Sequence, residues 1–273
     1  MSSLRSRRVA LAAAAFSTLT VGALAAAPAA SVTAAPLTAH LSEPDALWLP
    51  NATTVPELVA SPPKMALIST VSNAYRFSSV LDGQPVRWNP CSAIHWRSNT
   101  ARGPAGGLDV LKGSVARIAA LTGTSWVYDG ASATNPTSGY LPTTPQNSNR
   151  PVLLGWTDGA SSDLLAGKPA QVLGMTRTVW FGTNDGQGHQ LAATRGAVIA
   201  LDRTNRLPLR GPTSWSATSL HELGHVMGLD HPYDPRELMA ATLPAAVSDM
   251  QMGDRTGLTR VGRAAGCVIV PGM

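Results

Sequence analysis

The sequence predicts a single-domain α+β fold, and three observations predict it. Strand candidates outnumber segments with helical periodicity. The elements fall in the order strand, helix, strand, strand, strand, strand, helix. A turn-forming Asn184-Asp185-Gly186 joins two of the strands as antiparallel neighbours. At 273 residues the chain is long enough for a full hydrophobic core. Its charged fraction of 14% is well under the average of about 25%, which excludes a long coiled coil and a disordered polyelectrolyte.

Each element has its own warrant. Ile94 and Trp96 alternate with His95 and Arg97, as in a half-buried strand. Leu108, Leu111, Val115, Ile118 and Leu121 recur at steps of three and four and predict a helix over 108–121. Asp109 suits the positive end of its dipole, and Gly123 is placed to end it. Ser125–Tyr128, Val152–Trp156, Thr176–Gly182 and Gly196–Asp202 read as the remaining strands. Residues 131–151 carry Pro136, Pro142, Pro145 and Pro151 among Ser, Thr and Asn, and read as a long loop.

The N-terminal region reads as an export leader, residues 1–35. Arg5, Arg7 and Arg8 precede the uncharged, apolar Val9–Ala27, and small residues place cleavage after Ala25, Ala29 or Ala34. Ser6-Arg7-Arg8 resembles a twin-arginine signal. Nine of the nineteen residues in Val9–Ala27 are alanine, which favours cleavage over a stable membrane anchor, and no other stretch is suited to span a bilayer. Loss of the leader's three arginines lowers the net charge from +5 to +2. No basic cluster with interleaved aromatics is left, so a nucleic-acid partner is not expected. Residues 36–80, rich in Ala, Pro, Ser and Thr, read as a linker or short propeptide. The two cysteines, Cys91 and Cys267, suit one disulfide in an exported chain, the alternative being two buried thiols. A bridge would close a loop of about 175 residues, worth on the order of 4–5 kcal/mol.

The segment that carries chemistry is His-Glu-Leu-Gly-His-Val-Met-Gly-Leu-Asp-His, residues 221–231. On a helix, His221 and His225 project from one face and can bind one ion, and Glu222 is placed to take a proton from a water there. Thr213 or Ser214 can cap that helix, and Gly228 can end it in the left-handed conformation. A sharp turn then brings His231 back as a third ligand. Three neutral nitrogens leave a fourth tetrahedral position open, the pattern of catalytic zinc. Requiring Gly228 and His231 as well as the two histidines and the glutamate cuts chance matches by roughly a thousandfold.

This motif, followed by Met239, resembles that of the metzincin metalloproteases. Asp230-His231 and the step through Asp234-Pro235 to Leu238-Met239 look most like the matrixins. Trp88-Asn89-Pro90-Cys91, and Gly253-Asp254 with Gly257-Leu258, look like features of secreted bacterial matrixin-like proteins. The resemblance implies a zincin-like catalytic domain over 81–273: a twisted mixed β-sheet of about five strands with an antiparallel edge strand, an active-site helix and a C-terminal helix. It implies one catalytic Zn2+ on His221, His225 and His231, Glu222 as general base, and Met239 in the turn beneath the metal. The implied activity is hydrolysis of protein or peptide substrates outside the cell, with Thr176–Gly182 as the edge strand pairing with the substrate backbone. The alternatives are a non-catalytic zinc-binding protein of the same fold, or a zinc amidase acting on cell-wall peptide.

The chain departs from the family at several points. No cysteine precedes Cys91 to hold a latent form, and the histidine- and aspartate-rich loop that binds structural zinc and calcium is missing. A second metal ion is left open, with His189 after Asp185 its nearest candidate. Ala240–Leu243 replaces the tyrosine-bearing specificity segment, so substrate preference does not carry over. Ala241 stands where astacin- and serralysin-like relatives carry a metal-binding tyrosine. His40 in the linker and His95 on a strand are expected to be bland.

Overall fold

The computed structural model describes residues 73–145, 150–184 and 187–270, and the backbone of two strands nearer the N-terminus, β1 (Thr38–Leu41) and β2 (Asp45–Trp48). The leader, most of the 36–80 segment, and Asp185-Gly186 of the turn lie outside the described residues. Two short pairings follow in chain order. β3 (Arg76–Phe77) meets a later strand near the candidate site. β4 (Val80–Leu81) and β5 (Gln84–Pro85) form a hairpin whose two turn residues, Asp82 and Gly83, both take positive φ.

The main sheet then begins with β6 (Ile94–Asn99), in which the buried–exposed alternation of Ile94 to Arg97 is as the sequence predicts. α1 (Gly107–Thr122) crosses over to β7 (Trp126–Ala131). Its buried face runs through Val110, Leu111, Val115 and Ile118, so Val110 takes the inward place expected of Leu108. Gly123 ends the helix with φ 66°, its N–H donating to the Ala119 carbonyl. β8 (Val152–Thr157), β9 (Val172–Asn184) and β10 (Gln190–Asp202) complete the five expected strands. α2 (Trp215–Met227), the two-residue β11 (Leu229–Asp230) and α3 (Met252–Val261) follow.

The five strands lie side by side in the order β9-β10-β8-β6-β7. β10, β8, β6 and β7 are parallel, and β9 is antiparallel to β10. The architecture is therefore mixed α+β. β8 is buried along its whole length because both faces of the sheet are covered. Leu154 and Trp156 face a core shared with α1 and α2, and Leu153 faces a second core closed by Leu141, Leu164 and Leu165 of the connecting loops.

One expectation is corrected here. The strand containing Thr176–Gly182 is not the edge of the sheet. β1 and β2 both pair antiparallel with β9 on the side away from β10, which makes this sheet seven-stranded among the described residues. Residues 38–41 and 45–48 thus form strands inside the stretch expected to be an irregular linker. They show no clean apolar alternation, and their extended conformation comes from pairing with a strand about 130 residues away.

Candidate metal centre

The centre is built first by α2. The Ser214 hydroxyl accepts the Ala217 N–H and caps the helix start, one of the two capping positions expected. Residues 221 and 225 then lie one turn apart on the same face. Gly228 ends α2 at φ 105°, and a Cβ there would come within 2.9 Å of the Val86 carbonyl oxygen, so both conformation and space require glycine. The chain turns into β11, which pairs with β3, and delivers His231 immediately afterwards. Trp88 supports the end of the helix, its indole N–H donating to the Val226 carbonyl at 2.8 Å.

The three expected histidines are brought together. His225 Nε2 lies 3.0 Å from His221 Nε2 and 3.1 Å from His231 Nε2, and the third side of the triangle is 3.2 Å. His221 Nδ1 meets the Leu238 carbonyl at 2.7 Å and His225 Nδ1 the Leu229 carbonyl at 2.8 Å. A carbonyl only accepts, so each Nδ1 carries the proton and each of these Nε2 atoms presents a lone pair inward. Burial disfavours the charged rings. It holds His225 down to about 4 and His221 well below its ordinary value, the neighbouring His225 and His231 adding to the effect at His221.

These three groups are close enough to hold one metal ion. The inward lone pairs of His221 and His225, 3.0 Å apart, repel one another unless a cation or a donor faces them. A tetrahedral ion with Zn–N bonds of about 2.0–2.1 Å sets its nitrogens about 3.3 Å apart, close to the triangle present. The donor set therefore fits zinc, with imidazole orientation fixed from behind by backbone carbonyls. Among the described residues no second group of three His, Cys, Asp or Glu side chains converges in this way. His189 belongs to no such group, and Asp185 lies outside the described residues.

Glu222 is fully buried. One carboxylate oxygen accepts the Thr176 hydroxyl at 2.6 Å. The other lies over Gly174, where a Cβ would stand 2.8 Å from it. Two residues of β9 thus fix a carboxylate that belongs to α2. Neither Gly174 nor Thr176 is marked by the sequence motif. The only signal of the first was a glycine just before an expected strand.

Met239 is buried, and its thioether packs against Gly224, where a Cβ could enter only if the Met239 side chain moved aside. The turn leading to it is held by two carboxylates. Glu237 accepts the Gly253 and Asp254 N–H groups at 3.1 and 2.9 Å. Asp254 accepts those of Leu238 at 2.8 Å, Met239 at 3.4 Å and Gln251 at 3.0 Å. The carbonyl that orients His221 is therefore anchored to the start of α3. Burial, with the Glu237 charge adding to it, raises Asp254 to about 7, against the backbone N–H bonds that favour its carboxylate.

Cys91 and Cys267 form a disulfide, their Cα atoms 5.4 Å apart. The Asn89 side-chain oxygen accepts the Cys91 and Val268 N–H groups and ties the same two segments together. His95 pairs with Asp129 across β6 and β7 at 2.9 Å and takes no part in the metal cluster. Compared with known proteins, the chain matches no family model and no characterised sequence.

Proposed function

We propose that this chain is a secreted zinc-dependent endopeptidase of the metzincin type, nearest the matrixins. The observation that carries the reading is the convergence of three imidazole Nε2 atoms within 3.2 Å, on a helix whose Glu222 carboxylate is buried and held by its own hydroxyl donor. Zinc at these nitrogens supplies a Lewis acid that polarises a carbonyl and lowers the pKa of water toward about 7.

The chain's own residues do the rest. His221, His225 and His231 hold the ion as neutral ligands, the first two with their rings fixed by Leu238 and Leu229. Glu222 takes the proton of the attacking water and returns it to the leaving amine. Thr176 fixes the carboxylate's orientation, so little reorganisation is needed as the proton moves. The arginine-bearing leader and the disulfide support export.

The test is hydrolysis of casein and of a peptide library by the zinc-loaded protein, with and without a chelator, beside Glu222→Ala. The expected result is cleavage that needs both metal and Glu222, with the variant retaining zinc. Cleavage by Glu222→Ala overturns the role given to this residue. One zinc per chain without cleavage of any peptide favours the non-catalytic alternative. Cleavage of cell-wall peptide alone favours the amidase.

A further inference from the structure

β6 buries Ile94 and Trp96 in the core shared with α1 and turns His95 and Arg97 to its opposite face. There His95 opens onto a cavity of about 410 Å³, lined also by Trp88, Asp129, Arg150, Pro151 and Arg195. This volume is in the range of small-molecule sites. Two irregularities in the sheet place charged groups at its wall. In β10 the pairing with β9 shifts between Thr194 and Gly196, which leaves Arg195 as an extra residue. In β7 the pairing with β6 shifts so that Asp129 and Gly130 stand opposite Arg97 alone, with Gly130 at φ 96°. A bulge gives up ladder hydrogen bonds to re-aim a side chain, and bulges between parallel strands are rare.

Asp129 accepts the Nδ1–H of His95 at 2.9 Å, which engages the carboxylate and leaves Nε2 to face a ligand. Arg150 stacks over the Tyr140 ring, 5.8 Å from its centre, and gives one N–H to the Tyr140 carbonyl at 2.8 Å, so most of its donor fork remains. Among the described residues that line the cavity, Asp129 is the one carboxylate against two guanidinium groups. Two guanidiniums select an oxyanion. The imidazole narrows the class. A neutral His95 with its proton on Nδ1 offers a lone pair at Nε2, and near neutral pH a carboxylate or a phosphate diester meets it with another lone pair. A phosphate monoester, with its second pKa about 6, brings an O–H to that nitrogen as the monoanion and accepts from the imidazolium as the dianion. Trp88, its indole N–H held by the Val226 carbonyl, and Pro151 offer an apolar wall to the organic part. We infer that this cavity binds the phosphate monoester of a small molecule, its oxyanion on Arg150 and Arg195 and one phosphate oxygen on His95 Nε2. None of these residues belongs to the metal cluster, so the site does not depend on the peptidase reading.

The test titrates phenyl phosphate into the full-length chain and follows the Cε1 proton of His95 by NMR, assigned from the signal lost in His95→Gln. Zinc and saturating acetohydroxamate are present, so that phosphate cannot gain the metal. The expected result is a saturable shift with a Kd below about 1 mM. Arg150→Gln and Arg195→Gln each weaken binding by about tenfold to a hundredfold, the loss of a charged hydrogen bond. Arg206→Gln, which removes an exposed cation outside the cavity, leaves the affinity unchanged. Benzoate and methyl phenyl phosphate carry the same ring but no proton to give near pH 7, and bind at least about tenfold more weakly. Arg150 is exposed, so its variant keeps the test decisive if Arg195→Gln fails to fold. The absence of a saturable shift overturns the inference, as does an equal loss in Arg206→Gln, full affinity in Arg150→Gln, or equal binding of benzoate or the diester.

Discussion

The hydroxyl of Thr176 on β9 lies 2.6 Å from a carboxylate oxygen of Glu222 on α2, with both residues buried. The helix supplies the charge and the sheet fixes its direction. A buried carboxylate that loses such a donor keeps its desolvation cost and gains mobility, an effect of about 1–3 kcal/mol.

Thr176→Val is therefore expected to lower kcat by about tenfold to a hundredfold, the equivalent of that loss. Zinc content and KM stay at the parent values, because the ligands are untouched. Thr176→Ser, which keeps the hydroxyl, restores most of the rate. Steady-state kinetics with elemental analysis checks this, and a valine variant with full kcat removes the positioning role.

His225→Ala is expected to abolish tight zinc binding, since two imidazoles remain from a set of three. The parent chain gains thermal stability on addition of zinc by mass action, about 2.7 kcal/mol at a hundredfold excess over Kd. In the variant the same addition leaves Tm unmoved. Thermal melts with and without zinc decide it, and an equal zinc-induced shift in both chains contradicts the assigned ligand set.

Asp254 gives the fold a pH dependence of known sign. Its folded-state pKa of about 7 lies above the ordinary aspartate value of 3.8, so the folded chain holds a proton that the unfolded chain has released. This group therefore costs stability progressively as pH rises from about 4 to about 7. Asn at this position accepts the Leu238 and Gln251 N–H groups through its one oxygen and has no proton to lose. Relative to the parent chain, Asp254→Asn is expected to gain stability across that window. Urea unfolding midpoints at pH 4, 5.5 and 7 test it, and a difference independent of pH refutes it.

Removing the disulfide by Cys91→Ser/Cys267→Ser opens a loop spanning 176 positions in sequence. The loss expected from chain entropy is about 5 kcal/mol. Metal binding by chains that remain folded is retained, because neither cysteine belongs to the histidine cluster. Calorimetry of the oxidised parent and the double variant measures the first effect, and zinc titration the second.

What the sequence alone determined about this protein is whatever local spacing encodes. Residues 221, 225 and 228 fix two candidate ligands on one helix face and the glycine that ends it, and His231 follows within three positions, so the whole histidine cluster lies within eleven residues. The order of the five central strands along the chain and the cysteine pairing were likewise legible, the first from alternation in β6 and short apolar runs bounded by turn residues elsewhere, the second from there being only two cysteines in an apparently exported chain. The tertiary structure decided the surroundings of the ligands. Thr176 and Gly174 reach Glu222 because β9 packs against α2, a contact across 46 positions for Thr176 that leaves no periodic trace in sequence. The Glu237 and Asp254 carboxylates meet the other segment's backbone N–H groups, and a backbone donor looks the same whatever residue carries it. Residues 38–41 and 45–48 follow no apolar pattern in sequence. Their strand conformation comes from pairing with the backbone of β9, and hydrogen bonding along a sheet edge is blind to side-chain identity.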